Sequence, residues 1–592
     1  MVVTGDPFEE VPMGDNEEAF EISNAGFLPI VSAYAARIGL VEQIDRLLHC
    51  QMDVSPGRVV LALMLDALTG RSPLFRLEQF FVDKDVEHLL GEAISPSRFN
   101  DDTLGRVLDR LADVGTNTVL GAVMIGVMKS FELDMSHVHH DVTSHSVYGD
   151  YLLYEWEGHA QPFVITEGFS RDHRPDLKQL THSLLCVDHG IPISSKLLDG
   201  NQSDKTINKN LIPEMVERMR SLGREDFIYV ADSALITRDN LALIDDWDKG
   251  FLFVSRLPMT YHECRHAIEQ AVDAGSWEDI GVISDEPETK HRKPASYRCF
   301  ETAVILHGIT YRAVVVHSDA YDQRRQKKVD KEIAREREEL TKLIKGLEAI
   351  DYACLPDAQA AAERISPATF HRMVVEIEPR AHYGKGRPKT DGTRALKEIT
   401  YRLKIALTLD EEAVERLRQE AGCFVLLSNT LAQGTGSVPA KELLTIYKDQ
   451  HMVERNFAFL KDPVFVNALF LKSPRRIEAL GLVLILALLI WRLMERTMRL
   501  NLAATKSKVT GWEKRQTSRP TSLMLMTKFI GAFVLVSAGT KRLAKALSDI
   551  QLHYLDLLEL TPEALINPFS RQSQKKIHRE KMPESHHNLC GM

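Results

Sequence analysis

The sequence predicts a multidomain α/β protein: an α/β core interrupted by a largely β insertion, with an all-helical N-terminal domain and a helical C-terminal region. Three observations predict it. At 592 residues the chain is too long for a single hydrophobic core. Over 135–257, short β-rich runs alternate with helical periodicity, the pattern of a core built on a sheet. That pattern lapses for about 180 residues and resumes as helices at Pro439. The reading divides the chain into an acidic disordered tail (1–26), a helical domain (27–131), a first core segment (132–258), the insertion (259–438), a second core segment (439–500), and a basic linker with C-terminal helices and a disordered end (501–592).

The N-terminal tail is acidic and carries no signal-peptide pattern, so a cytoplasmic location is expected. Apolar residues then recur at helical spacing over 31–48, 56–68 and 102–129, with Ser55-Pro56 and Asp101-Asp102 as helix starts. In the core, 137–143 reads as a strand. Segments 180–187 and 191–198 read as a hairpin across Asp188-His189-Gly190. A helix over 206–222 follows, then strands over 227–232 and 251–255 around a helix over 237–247. Three strands including a hairpin, then helix, strand, helix, strand is the order of an RNase H-like fold, short of its last helices. Those begin with one helix over 439–461.

In the insertion, strands are expected over 297–306, 309–317, 373–377, 400–407 and 424–428, with a charged, solvated helix over 320–350. The uncharged run 479–491 spans 13 residues between Arg476 and Arg492, short of the ~20 that cross a bilayer, and reads as a buried core helix. A basic linker to about Arg519 and a helix over 523–560 complete the pattern.

Hydrophobic content of 44% and charged content of 26% are those of a soluble globular protein. Seven Cys without a C-x-x-C pair suggest neither a disulfide framework nor a structural zinc site. The formal charge of −10 argues mildly against a nucleic-acid partner. Basic clusters nevertheless occur at 290–293, 380–389, 472–476, 506–519 and 575–579, and phosphate contacts need local rather than global positive charge.

Tyr447, Gln450, Glu454 and Lys461 fall within roughly 60° of one another on a helix, on one face. Upstream, Asp141 follows the strand-like run 135–140, and Asp232 ends the apolar strand at 227–231. An acid at the carboxyl end of a buried strand is poorly placed for packing and well placed to point into a crevice. Two such aspartates and a helix-borne glutamate can hold two Mg²⁺ or Mn²⁺ ions through oxygen ligands, flanking a phosphodiester. Plainer roles stand beside this: Asp141 as a turn residue or cap, Asp232 as a helix cap, Glu454 as half of a surface ion pair. Of His139 and His140, at most one can share the face of Asp141. Lys385 and Arg387 lie in a Gly-rich loop, 383–389, suited to a narrow A·T groove or to plain solvent exposure. Arg171 and Arg174 lie in a polar loop, 170–175, suited to DNA backbone contact or to solvent.

The order Asp141, Asp232, Glu454, with Tyr447-x2-Gln450-x3-Glu454-x6-Lys461, resembles the Y-x2-R-x3-E-x6-K signature of bacterial insertion-sequence transposases of the DDE class. The spacing matches throughout; Gln450 replaces Arg. Segments 168–179 and 230–234 extend the resemblance, which runs from about Gly26 to about Leu560. It implies an RNase H-like catalytic core with the three acids as metal ligands. It also implies that Tyr447, Gln450 and Lys461 contact phosphates, with Gln450 lacking the charge of the usual Arg. The implied partners are transposon ends and target DNA, bound by a homodimer or larger assembly. A nuclease without strand transfer and a DNA-binding remnant with a dead site are the alternatives.

Overall fold

The computed structural model describes residues 20–70, 76–148, 161–170, 174–245, 251–284, 293–385, 392, 394–462, 471, 473–537 and 540–575. Two compact units result: Met1–Val254 with Ile446–Met592, and Ser255–Thr445.

The first unit opens with β1 (Phe20–Asn24), then α1 (Leu28–Arg37), α2 (Leu40–Leu48), α3 (Pro56–Ala67), α4 (Leu77–Phe80), α5 (Val86–Leu90), α6 (Asp101–Val114) and α7 (Thr116–Ser130). Side chains start α3 and α6: Ser55 accepts from the Arg58 amide, and Asn100 from Thr103. Helix α7 packs so closely on the link between α1 and α2 that a Cβ at Gly126 would sit 1.9 Å from the Ile38 carbonyl oxygen. The sheet follows: β2 (His137–Val147), β3 (Lys178–Val187), β4 (Ile191–Leu198), α8 (Asp204–Ser221), β5 (Ile228–Ala231), α9 (Arg238–Asp245) and β6 (Leu252–Arg256). Strand order is β4-β3-β2-β5-β6. The β2–β3 and β3–β4 pairs are antiparallel, while β2 and β5 run parallel. The β3–β4 turn needs left-handed backbone at three successive residues, Asp188, His189 and Gly190 (φ 32, 60 and 86).

The second unit holds α10 (His262–Ala274), β7 (Glu278–Val282), β8 (Ser296–Leu306), β9 (Ile309–Ser318), α11 (Asp319–Glu348), α12 (Leu355–Glu363), β10 (His371–Tyr383), β11 (Leu396–Leu409), α13 (Glu411–Glu420) and β12 (Cys423–Ser428). Strands β12-β9-β8-β7 form antiparallel pairs, and β10–β11 form a separate long ladder. The expectation of a largely β insertion is corrected: helices hold about as much of this unit as strands. Helix α10 escapes a sequence reading because its buried stripe is small, Cys264, Ala267, Ile268 and Ala271.

The chain returns to the first unit through α14 (Ala440–Lys448), α15 (His451–Lys461) and α16 (Pro474–Thr505). After these come β13 (Val509–Thr510), β14 (Gln516–Thr517), α17 (Ser522–Phe529), β15 (Phe533–Ser537), β16 (Thr540–Leu543) and α18 (Asp549–Leu557). Helix α16 is long and apolar enough to cross a membrane by length and composition, yet 89% of its most apolar window is buried inside the protein. It packs against α1, α3, α6, α7, α15, α18 and β4, so helical domain and sheet share one core.

Three expectations at the termini are corrected. Residues 20–24 belong not to a disordered tail but to β1, which pairs with β15 and makes the N-terminal region not wholly helical. The helix expected over 523–560 is two helices around the β15–β16 hairpin. Gly531, at φ +81, ends the helical path, and the β-branched run from Phe533 takes up the β1 ladder. The linker expected over 501–519 contains the end of α16 and the β13–β14 pair.

Arg496 of α16 ties the β3–β4 turn into this core. Its Nε donates to Asp188 Oδ2 at 2.7 Å, and its Nη2 to the Glu132 carbonyl. Both side chains of the pair are at most 10% exposed. Replacing Arg496 with Met is expected to strand the Asp188 carboxylate and destabilise the protein by about 3 kcal/mol. A urea midpoint unchanged from the parent would contradict this.

Candidate functional site

Alternation along β2 sets His137, His139 and Asp141 on one face, and Val138, His140 and Val142 on the other. The parallel ladder runs from His137 beside Ile228 to His139 beside Val230. Two residues further, the same register brings Asp141 beside Asp232, the residue that follows β5. Asp141 on β2 and Asp232 just past β5 therefore leave neighbouring strands, whose backbones are about 4.8 Å apart. Both are half-buried. Asp141 Oδ1 accepts from the Val142 amide at 2.8 Å. Asp232 Oδ1 accepts from the Ala234 amide at 3.0 Å and caps the short turn behind it.

Helix α15 covers that face. Asn456 Nδ2 donates to Cys186 Sγ at 3.2 Å, and Cys186 is the cross-strand neighbour of His139. At the helix start, Gln450 Nε2 donates to the His140 carbonyl at 3.2 Å. At its end, the charge of Lys461 is felt by His145 and His182. Gln450 to Lys461 is about 16 Å of helix, and His140 to His145 about 16 Å of strand. The helix therefore runs along β2 in the same direction. Glu454, about 6 Å beyond Gln450, stands level with Asp141 and Val142 and is exposed to solvent. The three acids share one locality without forming a ready-made cage. Among the described residues, no three His, Cys, Asp or Glu side chains group closely enough to hold a metal ion.

The helix expected over 439–461 is corrected to two, α14 and α15, joined through Asp449 and Gln450. His451 Nδ1 takes the Lys448 carbonyl at 2.8 Å, the oxygen that a continuous helix would give to the Met452 amide. That amide goes instead to Asp449 O at 3.0 Å. Tyr447 thus lies on α14, and Gln450 as the N-cap, with Glu454 and Lys461, belongs to the helix along β2. Of the other expected contacts, Arg174 is half-buried. Asp176 grips its guanidinium through two bonds at 2.6 and 2.8 Å, and the Tyr148 hydroxyl takes a third. Lys385 is exposed beyond β10 in the second unit. Arg171 and Arg387 lie outside the described residues.

The two histidines beside Asp141 differ. His140 faces away from α15, its ring 3.0 Å from both the Ser183 and Tyr229 hydroxyls, and Tyr229 in turn donates to Asn208. His139 shares the face of Asp141, and burial pushes it down to about 3. Its Nδ1 has no hydrogen-bond partner among the described residues. It lines a cavity of about 120 Å³ with His137, Asp134, Asp449, Met452 and others beneath α15.

What fixes α15 was missed in the sequence. Asn456, fully buried, also donates to the Gly190 carbonyl at 2.8 Å. Arg492 Nε donates to Asn456 Oδ1 at 2.7 Å, and Arg492 Nη1 to Glu495 at 2.7 Å. Glu495 also accepts from Arg499 at 3.0 Å and from the Ser522 amide at 3.1 Å. The available signal was an Arg and a Glu three residues apart at the end of the most apolar run in the chain, where unpaired charge is too costly to keep.

Residues 20–125 match a family model described as a domain of unknown function, DUF4277. No curated protein sequence matches the chain. Among solved structures, a piggyBac transposase synaptic complex with hairpin DNA is similar over 85% of this chain and 80% of that one, at 9% identity and a TM-score of 0.35. That similarity is too low to assign a fold.

Two outcomes are expected from these contacts. Asn456→Ala leaves the Gly190 carbonyl and the Arg492 guanidinium without their partner and loosens α15 by about 1–3 kcal/mol. Hydrogen exchange should quicken over 451–461 and hold steady in α3; equal protection in both proteins would refute the anchor. Burial pushes His145 down to about 3 and His182 well below the ordinary range, with Lys461 adding to both. The unfolded chain binds their protons below about pH 6.5 and the folded one does not, so stability falls by about 1.4 kcal/mol per pH unit per histidine on acidification. Melting temperatures from about pH 7 to about pH 5 should drop, and the slope should shrink in His145→Asn/His182→Asn.

Proposed function

We propose that this protein is a DNA transposase of the DDE class. It binds the terminal inverted repeats of an insertion sequence, cleaves there and joins the ends to target DNA in the cytoplasm. The observation that carries the reading is the register of β2 and β5, which sets Asp232 beside Asp141, with Glu454 level with them on α15. The antiparallel run β4-β3-β2 continued by the parallel strand β5 supports an RNase H-like core.

Carboxylate oxygens suit hard divalent cations, and Asp141, Asp232 and Glu454 would hold Mg²⁺ or Mn²⁺, two ions per site. Such ions would supply Lewis-acid charge to a phosphodiester. The acids do not group as they stand, so the exposed Glu454 side chain would have to turn inward to join Asp141 and Asp232 on a bound ion. The residues themselves give the rest of the design. Asp141 and Asp232 are fixed by their strands and by the Val142 and Ala234 amides. Glu454 keeps rotamer freedom on the helix surface. Gln450 spends its amide on the His140 carbonyl and so fastens the start of α15; Lys461 and Tyr447 would contact phosphate. Two DNA ends must meet, so a homodimer or larger assembly on DNA is part of the reading.

The open arrangement of the acids favours one competing reading, a DNA-binding protein with no chemistry. The test incubates purified protein with labelled ends of the encoding element and a supercoiled target, in Mg²⁺ or EDTA. Metal-dependent nicking and joining are expected, with Glu454→Gln lowering the rate about 100-fold or more and leaving end binding intact. Nicking without joining would mean a nuclease. Binding with no metal-dependent chemistry would sink the transposase reading.

A further inference from the structure

Trp512 stands at the tip of the small β13–β14 hairpin and is 43% exposed. The turn is closed by the Arg515 amide on the Trp512 carbonyl at 2.8 Å and the Gly511 amide on the Arg515 carbonyl at 2.7 Å. Its two central residues, Glu513 and Lys514, both have left-handed backbone (φ 49 and 60), which glycine or asparagine usually supplies. Such strain lasts only where the surroundings impose it. Here the base of the hairpin is fastened: Lys528 Nζ donates to the Gly511 carbonyl at 2.9 Å, the Tyr554 hydroxyl donates to the Thr510 carbonyl at 3.1 Å, and Val509 is buried. A rigid base thus presents an exposed indole beside exposed Lys514 and Arg515.

The surrounding charge has one sign. Lys506, Lys508, Lys514, Arg515 and Arg519 are opposed within this segment by Glu513 alone, which pairs with Arg515 at 2.8 Å. The segment leads back to the candidate site through side-chain contacts. Arg499 Nε donates to the Pro520 carbonyl at 3.2 Å. Arg499 shares Glu495 with Arg492, and Arg492 holds Asn456, two residues beyond Glu454. Arg455 and Arg519 both press on the Arg499 charge, whose affinity for its proton is lowered mainly by burial. Glu495 faces this group of arginines, and Asp449 feels the Arg519 charge as well. A chain of net charge −10 thus concentrates cations between Glu454 and Trp512.

We propose that this ridge is a DNA-contact surface, on which Arg455, Arg519, Lys514 and Arg515 take successive phosphates of a strand leaving the Glu454 site and the Trp512 indole stacks on an unpaired base. The proposal rests on the reading under Proposed function for its partner, and charge complementarity argues for a polyanion. Cations that track a backbone, with an aromatic face for the bases, are the usual means of holding single strands.

The experiment uses the full-length protein and a fluorescent oligonucleotide, as a single strand and as a duplex, over a range of salt. Trp512→Ala is expected to weaken single-strand binding about 10-fold and duplex binding far less. Lys514→Ala/Arg515→Ala is expected to flatten the plot of log affinity against log salt by about 1 to 2 units for both forms. Loss of equal size on both forms in Trp512→Ala would overturn the stacked base and keep the phosphate ridge. Parental affinity and salt slope in both variants would overturn the whole surface. If Trp512→Ala does not fold, the exposed Lys514/Arg515 pair decides through its salt slope. Variants that lose binding in a protein that never cleaves DNA would leave this surface standing and remove the transposase reading. Unchanged binding in a protein that does cleave would do the reverse.

Discussion

The contact on which most of the first unit depends is the polar chain Asn456–Arg492–Glu495. Helix α16 is the central strut of a core that joins α1, α3, α6, α7, α15, α17, α18 and β4. A strut of that kind must be apolar, and most of it is. Arg492 and Glu495 are nevertheless almost fully buried within it, and each is satisfied. Their cost in desolvation is offset because Arg492 Nε and Nη1 and both Glu495 oxygens meet partners, among them Asn456, Arg499 and the Ser522 amide. The same chain therefore fixes α15 on one side, the β3–β4 turn through Gly190, and the start of α17 on the other.

That arrangement explains how Glu454 can be both solvent-exposed and well placed. An ionised carboxylate is costly to pack in an apolar core. Its position has to come from neighbours instead. Val453, Asn456, Phe457 and Leu460 turn inward and hold the helix, and Gln450 pins its first turn to β2. Asp141 and Asp232 are held by the opposite device, a strand ladder that fixes the backbone directly.

Gln450 acts through a neutral amide of about the right reach for the His140 carbonyl, just past the last residues of the parallel β2–β5 ladder. The break before α15 serves the same end. His451 bonds the Lys448 carbonyl and interrupts the helical ladder, which frees α15 to lie along β2 independently of α14.

Much of the fold was legible because it is written in local periodicity. The β3–β4 hairpin follows from alternating apolar residues and a turn of Asp and Gly type. The buried α16 follows from an apolar run too short to span a bilayer, and the mostly helical N-terminal region from its 3.6-residue spacing. Asp232 was visible as an acid at a strand end; Asp141, expected at one too, lies in the middle of β2, which runs on to Val147. Their adjacency was not visible, since it depends on a parallel ladder between residues nearly a hundred positions apart. Tertiary structure alone decided β1, a five-residue strand that exists only because β15 offers it a ladder. It also decided the division of the Tyr447 helix, where a histidine ring outcompetes a backbone amide. The partners of Arg492 and Glu495 likewise come from long-range packing. Local sequence fixes which elements can form; which polar groups must be paired, and with what, is settled only when burial removes water as the alternative partner.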